Sequence, residues 1–121
     1  MTIEDYAFAQ AEFHTYKRTL ADYAARLTEA GTLLRERTDR VSLTGVGLGP
    51  ALAVRPSGGP ELIDGRALPQ PVDIQRMLVR YHGAYERLRT TWDGLPPAER
   101  GGLRPPPPSL PTLVPAGLAD A

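Results

Sequence analysis

The sequence contains no cysteine, which removes disulfides, iron–sulfur clusters, thiolate zinc sites and cysteine nucleophiles together. It holds two histidines, His14 and His82, and one lysine, Lys17. It has no excess of either charge: fourteen basic and fourteen acidic residues cancel, so no broad surface for nucleic acid or acidic lipid is expected. No run approaches the roughly twenty apolar residues of a membrane-spanning helix, and no membrane association is expected. The first residues are acidic at Glu4 and Asp5, with no basic region leading into an apolar run, which predicts no secretion leader and a cytoplasmic location. Proline is missing from residues 1–40, where Gly31 is the only glycine.

That proline-free stretch carries an apolar seam. Tyr6, Ala9, Phe13, Tyr16, Leu20, Tyr23, Leu27, Ala30 and Leu34 follow one another by alternating steps of three and four. Such steps put every one of them on the same side of a helix and match the heptad pattern of a helix packed lengthwise on another. The spacing predicts a helix over about residues 2–40, roughly 55 Å long at 1.5 Å per residue. A helix of that length in water needs a partner surface. The large rings alternating with Ala9 and Ala30 suit an unevenly spaced bundle better than a zipper of branched aliphatics.

Between 41 and 71 the composition changes, with six glycines and five prolines in thirty-one residues. Residues 51–55, a turn at 56–60 and residues 61–64 read as a small β-hairpin, which is marginal in isolation and must lie on the helices or pair with a copy of itself. A second helix is expected from 72 or 73 to 93, capped near Asp73 and closed by Gly94 and the pair Pro96 and Pro97. Its seam is Ile74, Leu78, Tyr81, Tyr85, Leu88 and Trp92. One helical turn is expected at 97–100, followed by Gly101, Gly102 and the four prolines Pro105 to Pro108, which forbid a regular helix or a central strand. A tail of this kind is a spacer, a strip packed along its own bundle, or a ligand for an aromatic-lined groove.

Catalytic and cofactor patterns are weak. His82 and Glu86 lie four apart on the second helix, but two ligands do not define a metal site, and Glu12, Glu29 and Glu86 lack the repeated spacing of a di-iron bundle. The glycines at 45, 47 and 49 are followed by Pro50 with no lysine, unlike a phosphate loop. Ser42, Ser57 and Ser109 have no histidine or acid near them in sequence in a triad-like arrangement. No cofactor or metal is expected.

The fold class expected is mainly α: a long–short antiparallel helical hairpin of coiled-coil type, with a glycine-rich β-hairpin insertion and a proline-rich tail, forming a dimeric bundle. The domain expected is 1–95 with its arm at 41–71, and the tail is 96–121. The function expected is that of a noncatalytic, self-associating scaffold or adaptor that also meets a protein partner. Its contact residues are Phe13, Tyr16, Leu20, Tyr23, Leu27, Tyr81, Tyr85 and Trp92, since aromatics bring large area with few rotors. The alternative is a nucleic-acid accessory protein using the strip Arg76, Arg80 and Arg87; a small enzyme centred on His82 and Glu86 is less favoured.

Overall fold

The first helix begins where Thr2 and Asp5 satisfy each other. The Thr2 amide donates to Asp5 Oδ2 at 2.8 Å, and the Asp5 amide donates to Thr2 Oγ1 at 3.1 Å. This reciprocal cap closes two of the amide groups that a helix start leaves open. The Thr2 amide and then its side chain hold the Asp5 carboxyl below its ordinary value. From there α1 runs over Ile3–Glu36. It stops short of residue 40, and just past its end the Thr38 hydroxyl donates to the carbonyls of Leu34 and Arg35, at 2.7 and 3.3 Å. Its 34 residues span about 51 Å.

The computed structural model describes residues 1–39, 41–44 and 61–113. After α1 come β1 (Val41–Thr44), β2 (Glu61–Asp64), α2 (Pro71–Gly94) and α3 (Pro97–Arg100). The chain is mainly helical, with one two-stranded parallel sheet among the described residues. Val41 pairs with Glu61 and Thr44 with Asp64. Residues 61–64 thus form the expected strand, with β1 as the partner; the 51–55 arm of the expected hairpin lies outside the described residues. The sixteen residues between the strands exceed the dozen or so that a parallel connection needs, so this pairing is open to the chain.

Pro71 opens α2 at a position where its missing amide costs nothing, and Asp73 sits in the first turn. At the other end Gly94 admits a close neighbour: a Cβ there would lie 2.5 Å from Met1 Cγ. The Leu95 amide then donates to the Trp92 carbonyl, and the Leu95 side chain is buried.

Two units divide the chain. The first comprises Met1–Ala21 with Val72–Ala121, and the second is Asp22–Pro71. In the first, the contacts move backwards along α2 as they advance along α1. Tyr6 meets Trp92, Glu12 meets Arg87, and Phe13 meets Tyr85 and Tyr81. The core here is Tyr6, Ala9, Phe13, Leu20, Tyr81, Ala84, Tyr85, Leu88 and Leu95. In the second unit, Val41 is the one buried apolar side chain among the described residues.

Candidate interaction site

Phe13 lies at the centre of the aromatic contacts of the first unit. Its ring stacks on Tyr81 with centroids 5.2 Å apart and planes 13° apart, and it tilts against Tyr85 at 6.0 Å. Offset stacked and tilted geometries suit the ring quadrupoles and add about 0.5–1.5 kcal/mol per pair beyond area burial. About two helical turns back on α1 from this cluster, Tyr6 packs on Trp92 at 5.2 Å, and the Arg100 guanidinium covers the Trp92 ring at 5.5 Å.

Three tyrosines in this core carry hydroxyls that need acceptors, and the proline segment supplies them. Tyr6 donates to the carbonyl of Arg104 at 2.5 Å, Tyr85 to that of Pro107 at 2.5 Å, and Tyr81 to that of Pro111 at 3.0 Å. The acceptors ascend along the tail while the α2 donors descend from Tyr85 to Tyr81, so the tail runs opposite to α2. The chemistry fits, because proline has no amide and polyproline backbone makes no internal hydrogen bonds, which leaves its carbonyls free. Burial raises the hydroxyl pKa of Tyr6 and Tyr81, offset at Tyr6 by a hydrogen bond with Gln10. Beside the tail an open crevice of about 440 Å³ remains, with Tyr6, Phe13, His14, Lys17 and Leu88 among its lining residues.

The expected contact residues divide sharply along α1. Tyr6, Phe13 and Leu20 occupy the same heptad position and are 0, 1 and 3% exposed. Leu27 and Leu34 occupy that position in the second unit and are 43 and 58% exposed. Tyr16 and Tyr23 are half-buried, as is Trp92, whereas Tyr81 and Tyr85 are buried. Around the distal part of α1 the second unit leaves two shallow crevices of about 250 and 350 Å³, both lined by Ala30, Ile63 and Leu68. Leu62 and Leu43 are exposed nearby, each lining one of the two. Arg26 reaches across its own unit to the Ala67 carbonyl at 3.0 Å and pairs with Asp22 at 2.9 Å.

Of the arginine strip, Arg76 and Arg80 are exposed, while Arg87 is engaged within the chain. Its Nε donates to Glu12 Oε1 at 2.7 Å, and its Nη2 donates to the same oxygen. His82 and Glu86 are both exposed. Glu86 lines a crevice with Phe8, Glu12 and Thr90 in which His82 takes no part. Among the described residues no three histidine or acidic side chains gather as a metal site. No helix among them is long and apolar enough to cross a membrane.

Sequence reasoning placed Tyr81 and Tyr85 at a packed contact but did not assign their hydroxyls, and it left Tyr6 out of the contact set. The usable signal was the residue type itself: tyrosine, rather than phenylalanine, at three seam positions calls for an acceptor in the core. Comparison with protein-family models, with curated proteins and with solved structures finds no match for this chain.

Proposed function

We propose that this chain is a noncatalytic helical scaffold or adaptor that self-associates through the distal part of α1. The observation that carries this reading is the change in exposure along one heptad position, from the buried Tyr6, Phe13 and Leu20 to the exposed Leu27 and Leu34. The seam is continuous in sequence, so its distal part presents the same kind of surface that already accepts a helix in the first unit. The occupant that fits is the same stretch of a second copy. Two such stretches laid antiparallel bring one patch against itself, as a two-fold dimer requires. Small residues at Ala24, Ala30 and Gly31 allow close approach, and the mixed charges of Asp22, Arg26, Glu29 and Arg35 border the patch without a like-charge block. Binding of a further protein partner extends this reading. The ion pair of Arg87 with Glu12 favours the scaffold over phosphate contact by the arginine strip.

The test is absolute mass by light scattering after size exclusion, over about a hundredfold range of concentration. The unsubstituted chain is expected at twice its 13.1 kDa mass, and the double variant Leu27→Glu, Leu34→Glu at the mass of a single chain with its helicity kept. A single-chain mass for the unsubstituted protein at every concentration would overturn the proposal.

A further inference from the structure

The three tyrosine bonds read only the main chain of the proline segment. We infer that this groove takes the same proline segment from a second copy, so that neighbouring chains exchange tails. Four observations on the first unit carry the inference. The acceptors at Arg104, Pro107 and Pro111 are backbone carbonyls, and every copy of the chain offers them in identical order. No side chain from Leu103 to Leu113 is fully buried: Leu103, Pro106, Pro107, Leu110, Pro111 and Leu113 are partly covered and the others are exposed, in contrast to the fully buried Leu95 just before α3. Gly101 and Gly102 stand between α3 and the segment with open space where a Cβ would lie, and the joint is spanned by the Leu103 amide donating to the Arg100 carbonyl at 3.0 Å. The crevice of about 440 Å³ beside the segment leaves one flank of the groove unfilled.

Detachment breaks three hydrogen bonds and uncovers side chains that the segment adjoins, Tyr6, Phe13 and Leu88 among them, and entry of a second copy's segment restores both. The prolines favour an extended form when released, so little order is lost between leaving one groove and entering the next. Exchange of an identical element is a low-cost route between monomer and assembly. A short flexible joint holds the chain's own tail at an effective concentration in the mM range, so exchange is set to rise as copies approach that concentration.

Because the sequence has no cysteine, one introduced thiol labels one position. One batch carries a donor dye at Ser109→Cys on the tail, and another carries an acceptor at Ala11→Cys, an exposed position on α1. Both batches also carry Leu27→Glu and Leu34→Glu, which separates tail exchange from association along the distal seam. Energy transfer between the batches is expected to grow with concentration and to be abolished by excess unlabelled peptide of residues 103–113. Tyr81→Phe and Tyr85→Phe in both batches weaken the own and the exchanged seat alike. They are therefore expected to leave the final transfer unchanged and to speed its appearance after mixing about tenfold or more, the equivalent of two lost hydrogen bonds. The same peptide competition without the glutamate substitutions reads the exchange free of any effect of those substitutions on folding. Absence of transfer up to millimolar chain, or transfer that the peptide leaves unchanged, would overturn the inference. Either result leaves the mass measurement of the unsubstituted chain to stand by itself.

Discussion

Phe13 is the side chain on which the first unit most depends. It is 1% exposed and touches the rings of Tyr81 and Tyr85 at once, so removing it opens a cavity between two helices that share no disulfide. Phe13→Ala is expected to cost about 3–5 kcal/mol, a large part of the 5–15 kcal/mol typical of a whole domain. Urea unfolding checks this through a lower midpoint at unchanged slope. The control is Phe8→Ala, 72% exposed on the same helix and expected within about 0.5 kcal/mol of the parent. Equal effects of the two substitutions would refute the assignment of the core. Arg87 with Glu12 contributes less, since exposed ion pairs are worth about 0.2–1 kcal/mol and weaken with salt.

At the scale of the element, the proline segment is held by protons on tyrosine oxygens, and pH can remove them. Burial places the Tyr6 and Tyr81 hydroxyls above the ordinary value of 10.0. A raised value in the folded chain means that the native state keeps its protons longer than the unfolded state does. The stability linked to these groups is fully present below pH 10.0 and is lost as pH rises through the higher native values. Loss of the two protons also removes the donors to Arg104 and Pro111. Alkaline titration followed by tyrosinate absorbance, with a probe on the tail, is expected to show the tail leaving as these late tyrosines ionise. Tail release complete before any late tyrosine ionises would contradict the role given to the hydroxyls.

At the scale of the whole molecule, the two units differ in how much they bury. Among the described residues, the first has nine buried apolar side chains and the second has Val41 alone. Amide hydrogen exchange should follow that division. In dilute solution the amides of residues 6–20 and 81–91 are expected to be the most protected, and those of 22–36 to exchange faster although they belong to the same helix. Protection over 22–36 should rise with concentration as copies cover Leu27 and Leu34, while the 6–20 stretch stays constant. Uniform slow exchange along the whole of α1 at the lowest concentration would contradict the division.

The sequence by itself determined where the helices lie and which residues form their seams. Helical period is a local property, and Tyr6 to Leu34 and Ile74 to Trp92 display it without reference to anything distant. The helical turn at Pro97–Arg100 was legible for the same reason, from Pro97 at its start and two glycines after it. Only the tertiary structure decided what meets those seams. Tyr6 and its acceptor at Arg104 are 98 residues apart, and no periodicity links a hydroxyl on one element to a carbonyl that far along the chain. The parallel partner of β2 was hidden likewise, because four residues of strand pattern carry no direction of pairing. Burial is a property of the folded whole: Leu20 and Leu27 are alike in residue type and heptad position, and only the chain around them makes one core and the other surface.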